Sequence, residues 1–421
     1  MRAIVAAVLV ALVLVAPPAR GEGRTARVDM MGAVRLALQR SPELGPGRAA
    51  VGGAREVARA VNTLLPTPPR LEVQAGPRWR NDVQRHSVDA TAALWVDLSL
   101  GGYAGARRDL ARALGREAHA GLAVAERDVA ARAALAWIDA RLAREIVHIR
   151  DESLKDAASL VQLAAARVGA GSASPGEEAL ARAVLGSARA EALDAEGRRV
   201  VADAALRYVT GLAPAQPLEL AGPLDTRDPP LDARRLLSRA GAVHPDVELA
   251  RATATRELRT SDVARAGGKP YLSVGPVVTR EGTGDWLVQG RIAVPLPLVN
   301  PAALEASRAR SEAGVAEADA RRLEARLGGE IQMALHEREH ARELREALLS
   351  GAITPAREAL RVSERQYEAG SGELSTVLGA RRALLDAEER WAEAAADVRR
   401  ADVKLARALG REPNSMGAPN R

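Results

Sequence analysis

Apolar side chains recur at every second position through Asp89-Ala90-Thr91-Ala92-Ala93-Leu94-Trp95-Val96-Asp97-Leu98-Ser99. Successive side chains of a β-strand point to opposite faces, so this period of two predicts a strand with one apolar face. A tilted strand needs about 9–11 residues to cross a lipid bilayer, and this stretch has that length. We therefore predict a membrane-spanning strand here.

Three further stretches share this pattern. Leu71, Val73 and Ala75 alternate with polar neighbours upstream, and two alternating stretches follow much later, at 272–278 and 286–294. The four stretches come in two close pairs. The sequence thus predicts two β-hairpins in one chain.

The composition excludes several classes of protein. The chain has 421 residues, and its net charge of +6 is a small difference between 60 Lys and Arg and 54 Asp and Glu. These charges are scattered among alanines, as on solvated helix faces, so we expect no nucleic-acid partner. Cysteine is absent, which excludes disulfides, thiolate-held metals and thiol catalysis. No phosphate-binding loop or nucleophile elbow occurs, and we expect neither a cofactor nor enzymatic activity.

The N-terminus has the layout of a secretory signal peptide. Arg2 precedes an uninterrupted apolar run, 3–16, and a small-residue segment that ends at Gly21. The run is shorter than the roughly 20 residues that a transmembrane helix needs. We expect cleavage after Gly21, with an uncleaved anchor as the alternative. No later segment is apolar for long enough to span a bilayer as a helix, so a membrane-embedded part must consist of strands.

The two halves of the chain repeat one plan. The segment that begins at Asp29 recurs from Asp232 at an offset of 203 residues, and Gly171-Ser172 recurs as Gly370-Ser371 at an offset of 199 residues. An offset that drifts so little indicates an internal tandem duplication. Each half reads helix, two strands, long helix, tight turn, helix.

The helices of this plan are unusually long. The first is predicted from Met30 to Leu65, and 302–368 would extend about 100 Å if it were nearly continuous. We expect Gly351 and Pro355 to kink the latter. An apolar stripe steps along it by four residues, at Leu323, Leu327, Ile331 and Leu335. Helices with so narrow a stripe need neighbours.

The predicted segments follow from these elements. They are the signal peptide 1–21, an N-terminal segment with the first helix 22–69, the first hairpin 70–100, a helical hairpin 101–215, a linker 216–231, a helix 232–269, the second hairpin 270–298, a second helical hairpin 299–412 and a flexible tail 413–421. Four strands cannot close a barrel alone, since the smallest single-chain membrane barrels have about eight strands. The chain must therefore assemble with copies of itself. The alternative is a periplasmic structural protein without a channel.

A competing motif lies in the second half. His336-Glu337-Arg338-Glu339-His340 matches the H-E-x-x-H pattern of zinc proteases, in which two histidines hold zinc and the glutamate activates water. The segment is dense in charge, and the third histidine of the longer motif is missing. We interpret it as a solvated helix face and predict no metal site, with weak metal contact by a helical wall as the alternative.

Motifs at the ends of the predicted elements resemble the TolC-like outer-membrane factor family, the outer membrane efflux proteins. They are Leu-Ser-Leu-Gly-Gly at 98–102, Val-Pro-Leu-Pro-Leu at 294–298, Tyr-Glu-Ala-Gly at 367–370 and Val-Leu-Gly-Ala-Arg at 377–381. The resemblance covers about 28–412 and rests on the order and spacing of the motifs. It implies a mixed α/β membrane protein, in which three chains give four strands each to a 12-stranded β-barrel that continues into a long α-helical periplasmic tunnel.

The resemblance also implies partners and a location. It implies a homotrimer embedded in outer-membrane lipid, which docks through its tunnel tip onto a periplasmic adaptor (membrane fusion) protein and an inner-membrane pump of the RND type. The tip turns correspond to 169–175 and 369–372. The residues assigned to adaptor docking are Gly171, Ser172, Gly370 and Ser371.

A gate is implied at the same turns. Tyr367 matches a family tyrosine that helps to hold the periplasmic entrance shut. Acidic residues that the family often carries nearby are replaced here by Thr376 and Gly379, whereas the equivalent place in the first repeat has Glu177 and Glu178. We expect a contact between Tyr367 and Glu177, supplemented by Glu373. The alternative is that these acids only favour helix N-termini through the helix dipole.

The transported substrate, or cargo, is the feature that the sequence indicates most weakly. The phrase at 294–300 and the compact length are most similar to the CzcC-like metal-efflux branch, which implies heavy-metal cations, with drugs as a further class. Carboxylates repeated threefold in a narrow opening would also favour cations. The alternative is the exit duct of a type I protein secretion system. In each case the chain would be a passive duct driven by a pump.

Overall fold

The chain is described by a computed structural model at residues 26–62, 68–79, 87–99, 101–225, 244–295 and 302–410. The predicted signal peptide and C-terminal tail lie outside the described residues. So do 226–243, which include the end of the predicted linker, and 296–300 of the phrase compared with the metal-efflux branch.

The N-terminal segment forms two helices, so the single helix predicted from Met30 to Leu65 is wrong. Its elements are β1, α1 and α2, at Ala26–Val28, Met30–Arg40 and Gly45–Ala60. The break is a 3-10 turn at Pro42–Leu44. Ser41 has a ψ of 127°, because the α region is disfavoured for a residue before proline.

The predicted strands are confirmed and form one sheet. The strands β2, β3, β5 and β6 cover Arg70–Arg78, Ser87–Ser99, Tyr271–Arg280 and Trp286–Ala293. They pair in sequence order, each antiparallel to its neighbour, and β3 joins the two hairpins by pairing with β5. Gly275 is needed at this junction, because a Cβ there would lie 1.7 Å from the carbonyl oxygen of Leu94.

Long helices follow each hairpin. After β3 come α3 and α4, at Tyr103–Gly169 and Pro175–Thr210, and before and after the second hairpin come α5 and α6, at Pro245–Gly267 and Ala302–Leu348. At the place of the predicted kink, a π-helical turn at Leu349–Ile353 interrupts the α-helix. It is followed by α7 and α8, at Thr354–Glu368 and Leu374–Ala408.

The helices pack side by side through small side chains. The long α3 contacts α4, α5 and α8, while α6 packs against α5 and α8. Most buried side chains of α3 are alanines, which lets neighbouring backbones approach closely. Leu327 and Ile331 of the predicted stripe are buried on α6. Among the described helices, none has an apolar stretch long enough to cross a membrane.

The main core lies around Trp137 on α3. Its indole Nε1 donates a hydrogen bond of 3.0 Å to the carbonyl oxygen of Val28 on β1. That strand pairs in parallel with a short strand, β4, at Leu218–Leu220. Sequence analysis did not predict this two-stranded sheet, because three-residue strands show no readable alternation.

Candidate functional site

The four-stranded sheet has an exposed apolar face. The strand register places the alternating apolar residues of all four strands on one side. Large members of this face are exposed: Leu71, Val73, Val88, Leu94, Leu98, Trp286, Val288 and Ile292. A contiguous apolar surface of this kind indicates contact with lipid or with another protein.

The opposite face carries hydrogen-bonded polar side chains. The hydroxyl oxygens of Thr91 and Thr279 lie 3.1 Å apart across β3 and β5. Ser273 donates its hydroxyl to Asp97 Oδ1 at 2.5 Å. Trp95 on the same face donates its indole N–H to a carboxylate oxygen of β2 at 3.1 Å. One face of the sheet is therefore apolar and the other polar, an arrangement typical of strands that separate lipid from a water-filled lumen.

The ends of the helical hairpins form two similar turns. In the first, Gly171 has a φ of 70° and its N–H donates to the Val168 carbonyl, while Ser172 N–H donates to the Arg167 carbonyl at 2.9 Å. Gly370 has a φ of 78° in the second turn, which repeats this bonding pattern. Glycine adopts this left-handed conformation without a Cβ penalty, so both helices end in Schellman motifs.

Tyr367 occupies the core between the two turns. It is fully buried, and its side chain lies in an apolar cluster contributed by α3, α4, α7 and α8. The other members of the cluster are Leu160, Ala164, Ala181, Leu360, Leu374 and Val377. This cluster joins the last turns of α3 and α7 to the first turns of α4 and α8.

Arg167 ties the two turns together. Its guanidinium carbon lies 4.2 Å from the centroid of the Tyr367 ring, within the range of a cation–π interaction. The same guanidinium donates to the Tyr367 carbonyl oxygen at 2.9 Å and to the Ser172 carbonyl oxygen at 3.1 Å. Arg167 thus bridges the first and second turns within one chain.

The Tyr367 hydroxyl reaches the first turn of α4. It donates a hydrogen bond of 3.2 Å to Glu177 Oε2. Burial raises the pKa of Tyr367 above its usual range, and the neighbouring carboxylate of Glu177 raises it further. The hydroxyl is therefore a proton donor at neutral pH. The structure brings this predicted pair together, while a gating role for the pair stays a prediction.

The other two predicted gate acids lie elsewhere. Glu178 forms an ion pair with Arg182 one turn along α4. Glu373 is the N-cap residue of α8 and accepts a hydrogen bond of 3.1 Å from the Ser375 hydroxyl. Neither acid is shown in contact with Tyr367. All three acids also lie at helix N-termini, where the helix dipole favours them.

A second charged group lies just above the turns. Arg381 on α8 donates to Glu364 Oε1 at 2.6 Å, and its Nη1 lies 3.9 Å from Asp156 Oδ2 on α3. Partial desolvation raises the pKa of Asp156, and the positive charge of Arg381 opposes this shift. This group links α3, α7 and α8.

Arg167 and Arg381 were not predicted as tip residues. Arg381 was noted only within the Val-Leu-Gly-Ala-Arg motif, and Arg167 is one of many arginines interspersed with alanines. No spacing pattern in the sequence distinguishes Arg167 from arginines on solvated faces. Its role depends on the approach of two turns that are 200 residues apart along the chain.

The zinc-protease pattern lies on α6 and has other contacts. Arg338 is buried and donates to Asp402 Oδ1 at 2.7 Å, while Glu337 accepts from Lys404 Nζ at 2.6 Å. The motif glutamate thus pairs with a lysine of α8. His336 and His340 are exposed. Across the described part of the chain, no group of three or more His, Asp or Glu side chains is placed to hold a metal ion.

Comparison with known proteins identifies the family. The outer membrane efflux protein family matches residues 33–212 and 236–411, so the chain belongs to this family. The cobalt-zinc-cadmium resistance protein CzcC of Cupriavidus metallidurans is 28% identical over 334 residues, covering 78% of this chain and 79% of that protein. Protein CyaE of Bordetella pertussis is 30% identical over 416 residues, covering 94% and 86%.

Solved structures show the same fold. The outer membrane protein VceC of Vibrio cholerae superimposes with a TM-score of 0.73 at 19% identity, covering 91% of this chain and 96% of that one. The Campylobacter jejuni CmeC outer membrane channel gives a TM-score of 0.75 at 16% identity, covering 91% and 86%.

Family membership fixes the general role of the protein. It is an outer-membrane channel component of an efflux system and extends into the periplasm. Proteins of this family are trimeric channels that work with adaptors and inner-membrane pumps. They are ducts without enzymatic activity, so the H-E-x-x-H pattern is not a protease motif in this chain.

Proposed function

We propose that three copies of this chain close a 12-stranded β-barrel whose apolar sheet face contacts outer-membrane lipid and whose polar face lines the lumen. The observation that carries this proposal is the exposed apolar face opposite the hydrogen-bonded polar face. The sheet within one chain ends at β2 and β6. Pairing β2 of one copy with β6 of the next would remove both open edges.

The proposal extends to the helices and to the domain plan. The long helices would continue the barrel as a periplasmic tunnel, with the predicted order of segments kept and a helix break at Ser41 added. A tandem duplication is supported by the two separate matches of the family, at 33–212 and 236–411. It is also supported by the similar Schellman turns at Gly171 and Gly370.

The tip turns would form the closed periplasmic entrance. In this account Arg167, Tyr367 and Glu177 hold the two helical hairpins of one chain together, and opening separates them. Gly171, Ser172, Gly370 and Ser371 would present the docking surface to an adaptor, which connects the duct to an RND-type pump. The exposed position of these turns at the ends of the hairpins supports this role.

Heavy-metal cations are the cargo that we propose. The CzcC relative is named for resistance to cobalt, zinc and cadmium, and Glu177 repeated in three copies would attract cations to the entrance. The test is growth of a deletion strain, complemented in trans, on graded zinc, cobalt and cadmium. Loss of metal resistance supports this cargo. Unchanged resistance together with loss of a secreted polypeptide would support the secretion alternative.

The gate has its own test. Replacing both acids, E177Q and E373Q, removes negative charge from the entrance while keeping the side-chain shape. We expect a lower cation preference or an altered conductance in single-channel recordings. E191Q, on the same helix and far from the turn, is the control. Single-channel behaviour identical to wild type would contradict the role of these acids.

A further inference from the structure

The two histidines of α6 take no part in the contacts of the sheet or of the tip turns. His336 and His340 lie four residues apart, so both project from the same side of the helix. Both side chains are exposed, and their rings are stacked with centroids 6.3 Å apart and an interplanar angle of 21°. The two imidazoles are therefore neighbours on an open surface.

The residues between the histidines hold the helix in place. Arg338 is buried against Asp402 of α8, and Glu337 is paired with Lys404 of α8. These contacts fix the rotation of α6 at this turn. Because Glu337 and Arg338 are paired with residues of α8, they do not occupy the two imidazoles. Both imidazoles are therefore available on a rigid backbone.

We propose that His336 and His340 together bind one borderline divalent transition-metal ion, with Zn²⁺ as the representative, through one nitrogen of each ring. Imidazole suits Zn²⁺, Ni²⁺ and Cu²⁺, whereas Mg²⁺ and Ca²⁺ prefer oxygen ligands. Two neighbouring helical turns allow a pair of histidines to share one ion, as in the zinc helices that this spacing defines.

The site is open, with water completing the coordination shell. A structural zinc site is usually closed by four protein ligands, and the described residues offer no third His, Asp or Glu in place. The exposed Met333, on the preceding turn, and the exposed Glu343, on the following turn, flank the pair. Binding of this kind exchanges readily, as expected of a transient contact on the duct wall.

The inference is independent of the proposed cargo, because binding is measured on the protein alone. The experiment is a Zn²⁺ titration of the full chain, purified in detergent without a polyhistidine tag, by isothermal titration calorimetry. We expect one site per chain. The double variant H336Q/H340Q should lose at least tenfold in affinity at this site, which corresponds to about 1.4 kcal/mol.

A matched control is available on α3. His148 is also exposed and has Glu152 four residues later, with His148 Nε2 at 3.7 Å from Glu152 Oε1. H148Q should leave Zn²⁺ binding unchanged, which would show that an exposed histidine beside a carboxylate does not account for it. Because all three side chains are exposed on the single chain, the variants should keep the helical circular dichroism of the wild type.

One further readout belongs to the same experiment. Mg²⁺ should not compete, because it prefers oxygen ligands. The proposal is overturned if the wild type shows no saturable Zn²⁺ site, or if H336Q/H340Q binds Zn²⁺ as tightly as the wild type. Neither result would bear on the channel itself.

Discussion

Tyr367 makes contacts with both helical hairpins, and its hydroxyl can be removed without changing the packing of its ring. Y367F deletes the hydrogen bond to Glu177 but keeps the ring in the apolar cluster beside Arg167. A hydrogen bond to a charged group contributes about 1.5–3 kcal/mol, so the closed tip should be destabilised by that order. We expect a larger open probability in planar-bilayer recordings.

The matched control is Tyr208 on α4, which is 64% exposed. Y208F also removes one hydroxyl and should leave the closed state as in the wild type. If Y367F and Y208F gave the same open probability, the Tyr367–Glu177 bond would have no role in closure.

His244, the N-cap residue of α5, gives the stability of the helical region a pH dependence. It is buried, caps α5 by accepting the Asp246 N–H at 3.3 Å, and lies 3.4 Å from the carbonyl oxygen of Arg407. Burial lowers the pKa of His244 below its usual 6.5, and the positive charge of Arg127 acts in the same direction, while the Asp246 carboxylate, the Arg407 carbonyl and Glu330 oppose the shift. The stability that neutral His244 contributes is therefore present above pH 6.5 and is lost as the pH falls through the lowered pKa.

The measurement is the melting temperature of the wild type and of H244N between about pH 7.5 and about pH 5, around the reference pKa of histidine. Asparagine is a good N-cap but does not titrate, so H244N should lose part of the acid destabilisation. H148Q, which changes an exposed histidine, is the control variant. Equal slopes for the wild type and H244N would contradict this role.

Of the residues at the tip turns, some could be predicted from the family resemblance and others became evident only in the structure. The pairing of Tyr367 with Glu177 was predicted from a family resemblance, and the structure places the two side chains in contact. Arg167 was missed because its importance comes from three contacts that span both turns. Such contacts depend on tertiary packing, which a local pattern does not encode.

At the scale of elements, the sheet depends on a close approach between β3 and β5. A Cβ on Gly275 would meet the Leu94 carbonyl oxygen at 1.7 Å, so G275A must push the two hairpins apart. Overpacking of this kind costs about 1–3 kcal/mol. We expect G275A to reduce the heat-resistant oligomer on an unheated gel.

Gly290 on the neighbouring β6 is the control for this substitution. A Cβ added there would meet nothing within 4 Å. G290A should therefore assemble like the wild type. Assembly of G275A at the wild-type level would show that the β3–β5 junction tolerates a side chain and that this account of it is wrong.

Elements with a long and regular pattern of apolar residues could be predicted, whereas short or interrupted elements could not. The alternation at 90–98 and the stripe ending at Leu335 belong to long, regular elements, and both were predicted. The break at Ser41 was missed, although Pro42 carries a known local signal, because apolar residues on both sides favoured one continuous helix. The parallel pair β1 and β4 was missed because each strand has three residues.

At the scale of the whole molecule, the two sheet faces should respond differently to the same charge. Val288 is 72% exposed on the apolar face, and Gln289 points to the polar face of the same strand. An arginine on the lipid-facing side of a membrane barrel costs about 2–4 kcal/mol near the bilayer midplane. V288R should reduce insertion into outer-membrane vesicles, whereas Q289R should insert like the wild type.

Equal insertion of V288R and Q289R would mean that the apolar face does not meet lipid.

The order of elements and the need for several copies were deducible from the sequence, because four amphipathic strands leave open edges. The number of copies was not deducible from the residues. The number of copies depends on strand tilt and on the stagger between chains. Only the family resemblance implied that there are three.

The most direct test of a self-assembled outer-membrane duct is planar-bilayer conductance of the purified mature protein, run beside an unheated gel. The account predicts discrete channels formed by a heat-resistant trimer. A monomer that stays in solution without detergent and produces no conductance would contradict it, because the apolar sheet face would then have no membrane to meet.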